Sequence, residues 1–233
     1  MRKLGLIGGM SWYSTAIYYD RINKNVQRRS SNSLCSAPLV IENLNFCDLA
    51  KANSEQDWDH VADVLIASAQ RLETAGATAI LICANSMHKV HDRVAAAVSV
   101  PVIHIADAVG ASMKAAAVES AALIGTRNVM AENWYRQRLV KHGVTLMPTE
   151  PGDVDEIDRI IYDELMLGKV NRNSERTLKT FITECDQDGI KAIVLGCTEL
   201  SMIVDTKANV LPIYDSTAIH ADAGVDWIMG DAP

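Results

Sequence analysis

No run of apolar residues in this chain approaches the ~20 that span a bilayer. The opening MRKLGLIGGMSW has a basic start, but its apolar part is only a few residues long before it meets glycines. It reads as a first strand rather than a secretory leader. A surplus of positive charge is also missing. The formal net charge is −7, which leaves no basic face for nucleic acid, and Arg28-Arg29 reads as a solvated helix end. The five cysteines (Cys35, Cys47, Cys83, Cys185 and Cys197) are odd in number, irregularly spaced and contain no C-x-x-C. Neither a disulfide framework nor a zinc site is indicated. No His/Asp/Glu cluster has metal-ligand spacing. The phosphate loop G-x-x-x-x-G-K-[ST] is absent, and GLIGGM departs from the dinucleotide pattern G-x-G-x-x-G. The expectation is a cytoplasmic protein with free thiols and no metal, membrane or nucleic-acid partner.

What is present is ordinary globular composition, with 48% apolar and 22% charged residues over 233 positions, enough for two small domains. Short apolar runs alternate with longer helical patterns. The strand candidates are Leu4–Gly8, Leu39–Leu44, Ala79–Cys83, Val102–Ile105, Ala121–Gly125, Val144–Met147, Ala192–Gly196 and Val210–Tyr214. Helical stretches include Tyr13–Arg28, Asp57–Ala75, Asp153–Leu167 and Ser174–Asp188. Such alternation implies crossover connections and mostly parallel sheets. The continuously apolar strands imply cover on both faces.

The chain also nearly repeats itself. AGATAILICANS from Ala75 matches DGIKAIVLGCTE from Asp188 without a gap, so that Gly76 pairs with Gly189 and Ala84 with Cys197, 113 positions apart (189 − 76; 197 − 84). LIGGMS from Leu6 and LIGTRN from Leu123 stand 117 apart (123 − 6). The spacing predicts two copies of one α/β unit related by a pseudo-twofold. The first covers residues 1–102, completed by 210–233, and the second covers 103–209. Four strand-end loops would then meet in one cleft, because ligands of open α/β sheets sit beyond the carboxyl ends of strands.

Those loops carry the candidate chemistry. In LGCTEL, Cys197 follows a strand and a glycine. The expected helix N-terminus after it would favour the thiolate, which is both nucleophile and base. In LICANSMH the repeat sets Ala84, not Cys83, opposite Cys197. Strand alternation turns Cys83 toward the helix layer as a small core thiol, unless the strand has already broken into loop. Asn85 and Ser86 suit a carboxylate. His88 reads as an acid/base or, at least as readily, as a helix-surface or supporting histidine, and His104 and His220 read as structural. GGMSW and GTRNVM bring Met10, Ser11, Thr126 and Arg127, with glycines that permit close approach to a ligand.

Together LGLIGGMSWYST, ICANSMHKV, PVIHIAD, ALIGTR, LGCTEL and DSTAIHA span almost the whole chain and resemble the aspartate/glutamate racemase family. The nearest pattern is the subgroup of broad-specificity amino-acid racemases that writes its first loop C-T-N-T-M-H. The resemblance implies two similar α/β domains with the site between them. It also implies a homodimer and racemisation of free acidic amino acids without pyridoxal phosphate or metal. In that mechanism a thiolate on one face takes the Cα proton and a thiol on the other returns one. Carried over, Cys197 matches the second catalytic cysteine. Asn85, Ser86, Thr126 and Thr198 match the residues that hold the α-carboxylate, and Met10 and Ser11 match the lining loop. Lys169 and Arg127 are candidates for the side-chain carboxylate only because a cation is needed there. The first catalytic position, Cys or Thr in the family, is Ala84 here, which cannot transfer a proton. An impaired or one-sided racemase, a one-thiol decarboxylase or lyase, a non-catalytic amino-acid binding module, and a role for Cys83 all stay open on the sequence.

Overall fold

The computed structural model describes residues 1–49, 52, 54–147 and 151–230, with 147 and 151–153 described by backbone alone. The chain divides into two compact units. One runs from Met1 to Ile105 and resumes at His220; the other is Ala106–Ile219.

The first unit runs β1 (Leu4–Gly8), α1 (Trp12–Arg29), β2 (Leu39–Asn43), α2 (Glu55–Thr74), β3 (Ala79–Ile82), α3 (His91–Ala95) and β4 (Val102–Ile103). Its sheet has the order β2-β1-β3-β4 and every pairing is parallel, with Ile7 opposite Ile82. Side-chain alternation sorts β3 onto two cores. Ile80 and Ile82 pack with Val61, Leu65 and Ala69 of α2. Ala79, Leu81 and Cys83 pack with Leu4, Leu6, Tyr18 and Ile22. Complete burial of β1 and β3 on both faces is why those two strands are apolar without interruption, and each of their Leu or Ile side chains contributes roughly 1.5–3 kcal/mol, whereas the edge strand β2 is half-exposed and carries Glu42. α2 starts on a full capping box, in which Ser54 accepts from the Asp57 N–H at 3.2 Å and Asp57 accepts from the Ser54 N–H at 2.9 Å.

The second unit runs α4 (Ile105–Ala115), β5 (Ser120–Gly125), α5 (Arg127–Met130), α6 (Asn133–Lys141), β6 (Thr145–Met147), α7 (Pro151–Arg159), α8 (Arg172–Gln187), β7 (Ile193–Gly196) and β8 (Ile213–Asp215). Its sheet order, β6-β5-β7-β8, repeats the connectivity of the first sheet, again all parallel. The last helix, α9 (Ser216–Met229), carries the chain back, and its Ala221, Val225 and Ile228 join the core around Leu81 and Cys83.

Most element ends move by one to three residues from the sequence expectation, and three of the differences have a structural reason. The return to the first unit comes after β8 rather than at residue 210, because Ile213 to Asp215 pair with Ile193 to Leu195 of β7. β4 stops at Ile103 because α4 already begins at Ile105. The single helix expected over 153–167 is α7 followed by a π-helical turn, Ile160–Glu164, and a 3-10 turn, Leu165–Leu167, stopped by Gly168 at φ 72°. Ile160, Ile161 and Leu165 are all buried by this arrangement. Among the described residues no helix is long and apolar enough to cross a membrane.

Candidate active site

In the first unit the β1–α1 loop is held by Thr15. The Gly9 N–H donates to Thr15 Oγ1 at 2.8 Å, and the same hydroxyl donates to the Ser11 carbonyl at 3.1 Å. Gly8 makes room for Thr15, since a Cβ there would lie 2.5 Å from the threonine methyl. Met10 is buried, and Ser11 caps α1 by accepting from the Ser14 N–H at 3.4 Å.

The loop after β3 lies beside this one, because β1 and β3 pair in parallel register. Cys83 is fully buried among Leu4, Leu6 and Leu81, and burial pushes its thiol pKa well up, so it stays a protonated core thiol. Ala84 belongs to the opposite face with Ile80 and Ile82. Asn85 is buried, and Ser86 opens a 3-10 turn, Ser86–Val90. His88 is no surface group. It is 2% exposed, its Nδ1 donates to the Ala84 carbonyl at 2.9 Å, and its Nε2 is buried without a hydrogen-bond partner. Burial, followed by the charges of His220 and His91, holds its pKa well below the ordinary imidazole range. The rings of His91, His104 and His220 all lie within 6.1 Å of it. His220 Nε2 donates to the Ile103 carbonyl at 2.9 Å, which leaves Nδ1 to accept from the Tyr18 hydroxyl at 2.8 Å. His220 is thus fixed on both ring nitrogens inside the first unit, and His104 is buried beside it in the same ring cluster.

In the second unit the register sets Gly125 opposite Gly196, so the residues that follow, Thr126 and Cys197, are neighbours. A Cβ on Gly196 would fall 2.8 Å from Val129 and one on Gly125 would fall 3.0 Å from the Gly196 carbonyl, so both strand ends need glycine for close approach. The Thr126 hydroxyl is buried without a partner. Arg127 is exposed; its guanidinium pairs with Asp155 and its N–H donates to Asp158 at 2.7 Å. Lys169 is exposed, directly after the Gly168 turn.

Cys197 itself departs from expectation. The segment after it is a short 3-10 turn, Thr198–Met202, and not an α-helix. The thiol is 6% exposed and donates to Glu199 Oε2 at 3.1 Å, and Thr198 Oγ1 donates to the same oxygen at 2.6 Å. Burial first, then the charge of Glu199, raise the thiol pKa well above its usual value, so the resting group is the thiol rather than the thiolate. Glu199, 5% exposed, is the buried titratable neighbour of the thiol that sequence reasoning did not single out. Its position two residues after the cysteine gave no signal of burial, since a glutamate there reads as solvated. Tyr162 was missed as well. Its hydroxyl is raised to about 12, by burial first and then by the negative charge of Asp158. Among the described residues no group of three His, Cys, Asp or Glu side chains could hold a metal ion.

A sequence model of the Asp/Glu/Hydantoin racemase family matches residues 7–224. The chain is 23% identical over 229 residues to the broad-specificity amino-acid racemase RacX of Bacillus subtilis, which covers 97% of this chain and 98% of that protein. Among solved structures, a presumed Asp/Glu racemase of Yersinia pestis superposes with a TM-score of 0.91 at 37% identity, covering 98% of this chain and all of that one (100%). An aspartate racemase homologue of Pyrococcus horikoshii gives a TM-score of 0.84 at 29% identity, covering 98% and 99%.

Proposed function

Because the chain belongs to the Asp/Glu/hydantoin racemase family, we propose that it racemises free amino acids, aspartate and glutamate first among them, without a cofactor and with Cys197 as its one acid/base. The observation that carries this reading is the buried Cys197–Glu199 pair at the carboxyl end of β7, beside the unpartnered Thr126 hydroxyl.

The chemistry follows from that pair. The thiol proton moves along the existing hydrogen bond from Sγ to Glu199 Oε2, leaving a thiolate and a neutral carboxyl group. The thiolate then takes the Cα proton of the substrate, and the electron pair passes into the α-carboxylate as an enolate. Asn85, Ser86, Thr126 and Thr198 hold that carboxylate, and Met10 and Ser11 line the site. Lys169 rather than Arg127 meets the side-chain carboxylate, since Arg127 is already paired with Asp155. Cys197 returns a proton to the face it took one from. Ala84 offers none on the other face, so inversion has to draw on water. The enzyme is therefore one-sided: it exchanges the α-proton of one enantiomer faster than it inverts the centre. A homodimer belongs to this reading, and sedimentation as a single 25.4 kDa species would remove it. A cytoplasmic setting belongs to it too, supported by five free thiols.

Proton NMR in deuterium oxide, with chiral chromatography of the same samples, tests the central claim. L- and D-aspartate and glutamate should include one isomer whose α-proton washes out faster than the optical rotation falls. Cys197→Ser should abolish the exchange while the fold persists, because a hydroxyl is a far weaker acid than a thiol. No exchange with any of the four would overturn the reading. Ala84 favours one rival, a one-thiol decarboxylase, which would release carbon dioxide from an α-substituted malonate instead.

A further inference from the structure

Beyond α7 the second unit widens into the π-helical turn Ile160–Glu164, and side chains hold it in that form. Arg159 Nη1 donates to Glu164 Oε1 at 2.9 Å, five residues on, which is the span of one π turn. The Ser174 hydroxyl of α8 donates to Glu164 Oε2 at 2.6 Å, and the Lys169 N–H donates to the Glu164 carbonyl at 3.0 Å. Ile160, Ile161 and Leu165 fill the same core as Leu195, Cys197 and Leu200, and the turn Leu165–Leu167 lies against Thr198–Met202. None of these ties uses the phenol of Tyr162. Turns of this kind recur at functional sites, so a polar side chain left over on one calls for an explanation.

Asp158 marks where that side chain lies. Its carboxylate accepts the Arg127 N–H at 2.7 Å, so this side of α7 rests on the loop that carries Thr126. Tyr162 is four residues further on, on the same side of the helix. The titratable groups that reach its hydroxyl are Asp158, Cys197 and Glu199. Raised to about 12 chiefly by burial, the phenol is protonated at neutral pH and acts as a donor. A donor is what this corner lacks. The Thr198 hydroxyl spends its proton on Glu199 at 2.6 Å, which leaves the orphaned Thr126 hydroxyl to meet a carboxylate. A carboxylate offers about four acceptor positions, so one hydroxyl does not satisfy it.

We propose that Tyr162 is a further catalytic residue of this site, whose phenol donates a hydrogen bond to the α-carboxylate of the amino acid beside Cys197. The inference rests on the racemase reading and deepens it. When Cys197 takes the Cα proton, the electron pair passes into that carboxylate and its oxygens gain charge. A donor aimed at them binds the enolate more tightly than the ground state, which is what speeds the step.

Tyr162→Phe keeps the ring and removes the hydroxyl. Exchange of the α-proton of aspartate and glutamate in deuterium oxide, followed by NMR, should slow about tenfold or more in the variant. Two further readouts should not move. The melting temperature should stay at the wild-type value, and iodoacetamide should label Cys197 at the wild-type rate, read on its peptide by mass spectrometry. Unchanged exchange overturns the proposal. Slowed exchange with a lowered melting temperature also overturns it, since the hydroxyl would then serve the fold. Slowed exchange with an altered labelling rate overturns it too, since Tyr162 would then act on the thiol and not on the substrate. A wild type that exchanges no isomer of either amino acid overturns the racemase reading itself, and this inference with it.

Discussion

At the scale of single residues, the balance turns on where one proton sits. Cys197 and Glu199 share it across 3.1 Å in a buried setting, where burial and the carboxylate charge both oppose the thiolate. Glu199→Gln keeps the shape, removes the charge and cannot accept the thiol proton. Two effects should separate. The thiol pKa should fall toward its ordinary value in an absorbance titration near 240 nm, and α-proton exchange should drop by ~10²-fold or more. Retention of full exchange would show that Glu199 only shapes the site. Across the repeat, Ala84→Cys should supply the missing thiol and raise inversion relative to exchange, by as much as the ~10²–10⁴-fold a positioned acid or base contributes. Cys83→Ala should cost packing alone, because Cys83 lies on the other face of β3 with Leu81. If Cys83→Ala stops exchange instead, the one-sided reading fails. Cys197 could be picked out from sequence because a strand, a glycine and a cysteine in succession mark a strand-end loop. Glu199 could not, since a glutamate after such a loop reads as solvated until its burial is seen.

At the scale of elements, the loops are set by what glycine and threonine allow. Gly9 sits at φ 89°, and a Cβ there would come within 2.1 Å of the Leu44 carbonyl. Gly9→Ala should therefore destabilise the protein by at least the ~1–3 kcal/mol of a strained backbone and displace Met10 and Ser11. Urea denaturation together with a binding titration measures both, and a variant of unchanged midpoint and affinity would show that the turn relaxes freely. Apolar runs made the strands readable, since strands covered on both faces have little choice of side chain. β1 falls on the residues that pattern marked, Leu4–Gly8. Helix interruptions were harder to see. Periodicity continues through Ile157, Ile160, Ile161 and Leu165, all buried, although the backbone widens into a π-helical turn between them. Sequence period reports which face is buried, not how many residues make each turn.

At the scale of the molecule, the repeat was legible because both sheets solve the same problem with the same strand order, β2-β1-β3-β4 and β6-β5-β7-β8. The histidine stack was not, because it gathers residues 88, 91, 104 and 220 from separate segments. That stack gives the protein an acid limit. His220 is held down to about 4 chiefly by burial, and His88 is held well below its ordinary value for the same reason. The charged and titratable groups around them are His91, His104, Tyr18 and, through His91, Asp92. In the unfolded chain both histidines protonate near pH 6.5; in the folded chain they stay neutral to a much lower pH. The unfolded state therefore binds more protons below pH 6.5. Stability is full above that value and falls as the pH drops toward 4, and the part due to His220 levels only once His220 is charged in the fold as well. For His220 alone the loss amounts to roughly 3 kcal/mol, at about 1.4 kcal/mol per pKa unit. Other carboxylates titrate in the same range, so the comparison that isolates the histidine is wild type against His220→Gln, by urea denaturation at pH 8, 6.5, 5 and 4. The glutamine variant should start less stable, through loss of the Tyr18 and Ile103 bonds, and should lose less as the pH falls. Parallel slopes for the two proteins would mean that His220 is not held neutral, and the acid limit would have to come from elsewhere.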